Sequence, residues 1–109
     1  DLNNEVIKYF EENGFTITNN LYFDISDDIE IGKVDQKYLF DVLLNMDHKS
    51  SDALFVSCTA LPVLSMIDDL EKKLEKTVLS SNQVLIWDTL QSIGKKENIN
   101  GFGKLFKNK

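Results

Sequence analysis

The sequence predicts a parallel α/β lobe, one sheet with helices on both faces, and three observations predict it. Helical and extended patterns alternate along the chain in the order α-β-α-β-α-β-α, as they do where crossover helices join parallel strands. Ala53-Leu54-Phe55-Val56 is a short apolar run without charge, as expected of a parallel strand buried on both faces. Directly after Ser57-Cys58-Thr59 the hydrophobic period changes. Val63, Ile67, Leu70 and Leu74 recur at helical spacing, with Asp68, Asp69, Glu71, Lys72 and Lys73 on the other face. Ala53 to Gln83 thus reads as strand, sharp turn, helix and strand, and the remaining elements are arranged around it.

The elements follow in order. Leu2, Val6, Ile7 and Phe10 form an apolar helical stripe, and Asn13-Gly14 is a helix stop signal. Phe15-Thr16-Ile17-Thr18 is β-prone and predicts a strand. Asn19 to Gly32 is a long polar connection containing Asp24, Asp27 and Asp28, interrupted by Tyr22-Phe23 and Ile29–Ile31. Asp35 predicts the N-cap of a helix with Leu39, Val42, Leu43 and Met46 at i, i+3, i+4 and i+7. His48 to Asp52 is a polar loop. In the helix after the cysteine turn, Thr59 is the expected N-cap, and Pro62 falls in the first turn, where a missing N–H costs little. Lys72, Lys73 and Lys76 lie near its negative end. Thr77-Val78-Leu79 predicts a third strand. Asn82 is the expected cap of a last helix bearing Leu85 or Ile86, Leu90 and Ile93, which stops at Gly94. Lys95 to Asn100 is a loop. Gly101-Phe102-Gly103-Lys104-Leu105-Phe106 is a short tail whose two phenylalanines need a surface to pack on.

The chain opens on a helix, whereas a βαβ unit would place a strand before Leu2. In the flavodoxin-like order 2-1-3-4 that first strand is central. The expected architecture is therefore a three-layer, flavodoxin-like parallel-sheet lobe lacking its first strand, with Phe15–Thr18 and Ala53–Val56 on either side of a gap. On this reading residues 1–109 alone are neither a complete sheet nor an active enzyme.

Composition narrows the function classes. With 109 residues the chain makes one small domain or part of one, and 42% hydrophobic with 28% charged residues is too apolar for disorder. Eighteen acidic against twelve basic side chains give a net charge of −6, and the basic tail lacks arginine, which argues against nucleic-acid binding. One cysteine cannot form an internal disulfide, and no apolar run is long enough for a membrane span or a secretory signal. The expectation is a cytoplasmic protein with neither nucleic-acid nor membrane partners. No phosphate-binding glycine loop, zinc-ligand spacing or G-x-S-x-G elbow occurs.

Several residues invite functional readings, each with a plainer rival. An isolated cysteine is often a small buried hydrophobe. Cys58, however, follows a strand and precedes a predicted helix, and a helix N-terminus stabilises a thiolate and binds anions. Both readings stand on the residues alone. His48 has no ligand-spaced partner and reads as a solvated histidine. Asp27-Asp28 reads as turn chemistry rather than a cation site. Ser80-Ser81-Asn82-Gln83, at a strand-to-helix junction, reads as helix capping or as support for the cysteine at the same sheet edge.

Taken together, Asp52–Thr59, the helix with Ile67 and Leu70-Glu71, Ser80-Ser81-Asn82-Gln83, Trp87 and Gly101–Phe106 resemble the second, C-terminal lobe of the maleate cis–trans isomerases. Arylmalonate decarboxylases and ectoine-utilisation proteins are close relatives of that group, within the aspartate/glutamate racemase superfamily. The similarity covers nearly the whole chain, including Asn13-Gly14-Phe15 and Ile29-Glu30-Ile31-Gly32. It implies a protein of two similar lobes, residues 1–109 being one, with a small carboxylic acid held between two cysteines, one from each lobe. Cys58 would be the proton donor or acceptor at the carbon next to a carboxylate, and the backbone N–H groups of Thr59 and Ala60 would help to hold that carboxylate.

The resemblance implies no metal or organic cofactor and is compatible with a homo-oligomer. One departure concerns substrate binding. Isomerases of this group carry an asparagine in an Asp-Asn pair before the Ile-Gly stretch, and here Asp28 occupies it. An amide can donate to a substrate carboxylate, whereas an ionised aspartate repels it, which favours a substrate other than a maleate-like dicarboxylate. Isomerase or racemase chemistry leads. The alternatives are decarboxylation, in which Cys58 protonates an enediolate left by loss of carbon dioxide, and a non-catalytic module that retains the fold. A second cysteine in the other lobe would mark the first, and a glycine opposite Cys58 the second.

Overall fold

The computed structural model describes residues 2–21, 32–46, 49–57, 62–95 and 98–107. Helix α1 (Leu2–Glu12) comes first, followed by α2 (Gln36–Met46) and strand β1 (Ala53–Val56). A 3₁₀ turn over Leu64–Met66 leads into α3 (Ile67–Leu74), then strand β2 (Thr77–Ser80), α4 (Ser81–Ser92) and a last 3₁₀ turn over Lys104–Lys107. Among the described residues β1 and β2 form a two-stranded parallel sheet, with Ala53 opposite Thr77 and Val56 opposite Ser80. The β-α-β unit predicted around the cysteine turn is therefore present, with its strands parallel.

The helices end where their sequences say they should. Gly14 has φ +93°, its N–H donates to the Glu11 carbonyl, and the Phe15 N–H donates to the Phe10 carbonyl at 3.1 Å. This is a Schellman stop, and the ring of Phe15 meets that of Phe10 edge-on at 5.6 Å, the apolar contact that accompanies it. Gly94 ends α4 in the same way, with Lys95 N–H donating to the Leu90 carbonyl at 2.9 Å. At the start of α2, the Asp35 carboxylate accepts the Tyr38 N–H at 2.9 Å, which is the predicted cap.

The core lies on one face of the sheet. Leu39 and Leu43 of α2, Leu54 and Val56 of β1, Val78 of β2, and Val63, Met66, Ile67 and Leu70 around α3 form a single buried cluster. Burying each such side chain contributes roughly 1.5–3 kcal/mol. On the other face, Phe10 of α1 packs its ring on Phe55 at 5.3 Å.

Three expectations are corrected. Strand β1 is not buried on both faces: Leu54 and Val56 are buried, whereas Ala53 and Phe55 are exposed, because the described elements cover the second face with little beyond α1. Phe15–Thr18 pairs with no strand among the described residues, and strand propensity needs a neighbouring strand to act on. The helix after the cysteine turn does not begin near Thr59. Its first turn starts at Leu64, beyond Pro62, and the residue before a proline is disfavoured in a helix. Among the described residues the apolar face of α4 is open, with Leu85, Ile86 and Ile93 exposed and only Gln83 of that helix buried.

The tail does find its surface. Phe106 is buried, and Phe102 meets it edge-on at 6.4 Å. Gly103 sits between them at φ +94°, where a Cβ would come within 2.7 Å of Ile67 Cγ2 and 2.9 Å of Gln83 Nε2. Only glycine fits that approach.

Candidate functional site

In a parallel α/β sheet ligands gather outside the carboxyl ends of the strands. Here the register of β1 on β2 brings Val56 and Ser80 to the same edge, with Ser57 following one strand and Ser81 the other. Cys58, Thr59 and Ala60 continue from Ser57 in sequence. All three, together with Asp28 and His48, lie outside the described residues. Thr59 to Val63 separate Cys58 from the first helical turn, and neither Val63 nor Met66 supplies a side-chain cap.

The β2 side of the edge is built from a reciprocal cap. Ser80 is extended (φ −134°, ψ 159°), its hydroxyl accepts the Gln83 N–H at 3.2 Å, and the Gln83 side-chain oxygen accepts the Ser80 N–H at 3.1 Å. The cap is therefore Ser80 and not Asn82. The S-x-x-Q spacing of Ser80 and Gln83 is the signal that identifies it. Gln83 is fully buried and uses its amide nitrogen as well, donating to the Phe102 carbonyl at 2.7 Å. Every buried side-chain nitrogen and oxygen among the described residues has a partner. Ser80→Ala removes one acceptor while Gln83 keeps its other bonds, and should lower stability by about 1–2 kcal/mol in chemical denaturation. An unchanged midpoint would show that the cap does not hold this junction.

Beside the cap, two acidic residues of α3 fix the tail. The Glu71 carboxylate is buried and accepts the N–H of Val78 at 2.9 Å and of Lys104 at 2.8 Å, while Asp68 accepts that of Gly103 at 2.8 Å. The junction, the helix and the tail are thus one hydrogen-bonded unit, which the sequence alone did not reveal. An open depression lined by Lys49, Ser51, Asp52, Glu75, Lys76 and Lys104 lies at the other end, where the strands begin. That end is the wrong side of a parallel sheet for the chemistry expected of Cys58. Among the described residues no group of His, Cys, Asp or Glu side chains could hold a metal ion, and no helix is long and apolar enough to cross a membrane.

A β-α-β core with the carboxyl ends of both strands at one edge and a tail locked onto α3 is the setting in which relatives can be compared. The chain belongs to the arylmalonate decarboxylase family, whose model matches residues 1–106. It is similar to the maleate isomerase of Geobacillus stearothermophilus, at 29% identity over 109 residues, which are 99% of this chain and 43% of that protein. Among solved structures it is similar to the Nocardia farcinica maleate cis-trans isomerase, in a cysteine-to-serine variant with a covalently bound succinylcysteine intermediate. That match has a TM-score of 0.90 and 25% identity, and covers 99% of this chain and 45% of the other. Arylmalonate decarboxylase matches with a TM-score of 0.84 and 25% identity over 97% of this chain and 48% of the other. The chain therefore spans less than half the length of each of these proteins, and its fold is theirs over the part that it spans.

Proposed function

We propose that residues 1–109 are the C-terminal lobe of a two-lobed, cofactor-independent enzyme that moves a proton at the carbon next to a carboxylate of a small organic acid. The observation that carries this reading is the family match over residues 1–106, joined to the similarity with maleate isomerases along 99% of the chain. In this reading Cys58 donates or accepts the proton, and the N–H groups of Thr59 and Ala60 hold the carboxylate. Donors aimed at that carboxylate stabilise the enediolate-like charge that develops as the carbon gains or loses its proton. The opposing lobe supplies the second cysteine and excludes water.

For an isomerase, the succinylcysteine of the Nocardia protein suggests the order of events. A thiolate adds to one alkene carbon, the electron pair moves to the carbon beside the carboxylate, and a proton delivered there gives the succinyl adduct. Rotation about the new single bond and reversal of both steps then give the other alkene isomer. Decarboxylation is the second reading, favoured by the family description: loss of carbon dioxide leaves an enediolate that Cys58 protonates. Incubating the full-length protein with maleate or with an arylmalonate, and following the products by proton NMR, distinguishes the two. Fumarate supports the first and an arylacetate the second. Turnover of neither acid, nor of other small carboxylic acids, would overturn the proposal.

Asp28 sets the expected selectivity. If its carboxylate faces the substrate, Asp28→Asn replaces a repelling charge with an amide donor and should improve competition by maleate-like dicarboxylates about tenfold or more over monocarboxylates. Unchanged selectivity would remove Asp28 from the binding site.

A further inference from the structure

The sequence contains two Asn-Gly pairs, Asn13-Gly14 and Asn100-Gly101. Such a pair can modify itself. The backbone nitrogen of the glycine attacks Cγ of the asparagine, a C–N bond forms, and the side-chain nitrogen leaves as ammonia. Water then opens the resulting five-membered imide at one of its two carbonyls. One opening gives aspartate in an ordinary main chain, and the other gives isoaspartate, whose main chain runs through the side chain. Nothing is oxidised or reduced, and water is the only co-reactant. Glycine is the favourable neighbour because no Cβ shields the attacking nitrogen. The reaction also requires that the side-chain amide and the following backbone N–H can move together, so a folded structure that commits both to hydrogen bonds suppresses it until it opens locally.

The fold treats the two pairs oppositely. At the end of α1 the Asn13 side-chain amide donates to the Tyr9 carbonyl at 2.8 Å, and the Gly14 N–H donates to the Glu11 carbonyl at 3.2 Å. Both reacting groups are held. Asn100 and Gly101 are exposed, no hydrogen bond holds either among the described residues, and a Cβ added at Gly101 would meet nothing within 4 Å. Yet both flanks of this pair are fixed. On one side the Ile99 N–H donates to the Phe106 carbonyl at 3.3 Å, and on the other the Phe102 carbonyl accepts the Gln83 amide at 2.7 Å. We propose that Asn100-Gly101 is a self-modification site, and that its conversion to isoaspartate releases the tail from α3 and α4. Isoaspartate adds one carbon–carbon bond to the main chain, about 1.5 Å, between two fixed points. Gly103 is seated too closely against Ile67 and Gln83 to absorb that length. A shift of this size breaks bonds such as those of Phe102 to Gln83 and Gly103 to Asp68, since N–H···O bonds weaken beyond about 3.2 Å. The site is independent of the catalytic reading above.

The test incubates the folded full-length protein in warm, mildly alkaline buffer and follows both pairs by peptide mapping with mass spectrometry. Asn100 should convert about tenfold or more faster than Asn13, whereas in urea the two should convert at similar rates, because the selectivity comes from the fold. The isoaspartate form, separated by ion exchange, should then exchange its Gly103 and Lys104 amides about tenfold faster than unincubated protein. Asn100→Gln, whose longer side chain closes the imide poorly, should keep that protection through the same incubation. Asn100→Asp carries the new charge on an unlengthened main chain and should keep it as well. Conversion of Asn100 no faster than Asn13 in the folded protein would overturn the inference. So would unchanged protection of Gly103 and Lys104 in the isoaspartate form, or an equal loss in incubated Asn100→Gln. Should that variant fail to fold, the comparison of isoaspartate with unconverted wild type decides alone.

Discussion

Glu71→Ala should destabilise the lobe by about 2–5 kcal/mol, because it leaves two buried or partly buried backbone N–H groups, of Val78 and Lys104, without an acceptor. Each such group costs about 1–3 kcal/mol, and a domain has only about 5–15 kcal/mol to lose. The carboxylate has no cheap substitute. It bridges β2 and the tail with one oxygen on each, and bonds to a charged acceptor are stronger than neutral ones. Glu71→Gln keeps one acceptor but turns an NH₂ toward the other donor, so it should fall between wild type and Glu71→Ala. Urea denaturation followed by circular dichroism measures the loss, and amide exchange localises it to Val78 and Lys104. A loss under about 1 kcal/mol in Glu71→Ala, with both amides still protected, would mean that the bridge is dispensable.

In the full-length protein, Cys58→Ser should lower turnover about 10²- to 10⁴-fold with little change in stability, the usual scale of a general acid–base step. The substitution preserves shape but replaces a thiol that ionises near pH 8.5 with a hydroxyl that hardly ionises at all. Turnover within a few-fold of wild type would end the assignment of Cys58 to proton transfer. A collapsed circular dichroism signal would mark Cys58 as a packing residue instead.

The alternation around Cys58 was legible because three independent signals coincide there: a charge-free run, a change of period, and turn residues between them. Helix ends were legible wherever a glycine stands at a positive φ, as at Gly14 and Gly94. What escaped the sequence is what depends on neighbours. The apolar stripe of α4 is real, but periodicity says only that Leu85, Ile86 and Ile93 share a helix, not that anything covers them. Phe15–Thr18 has strand-like residues and no strand beside it among those described. The burial of Glu71 and Gln83 was equally hidden, because it depends on Lys104 and Phe102, 33 and 19 positions away, whose backbone groups leave no mark in composition. The residues expected to act on a substrate, Cys58, Thr59, Ala60 and Asp28, lie outside the described residues. What the structure describes beside them is the shared strand edge and the Ser80–Gln83 cap.

The tail has a consequence for the order in which this lobe assembles. Gln83, Asp68 and Glu71 hold Phe102, Gly103 and Lys104 across 19, 35 and 33 positions. A chain emerging from its amino end can form the neighbouring β1, α3 and β2 while those three side chains are still hydrated. It can dehydrate them only when the Gly-Phe-Gly segment arrives. Loop-closure entropy disfavours such distant contacts until the local ones are made, so the latch forms late on the folding path. Contacts absent from the transition state slow opening more than they speed closure. The latch should therefore act chiefly on lifetime, making the folded lobe slow to come apart once the segment is in place.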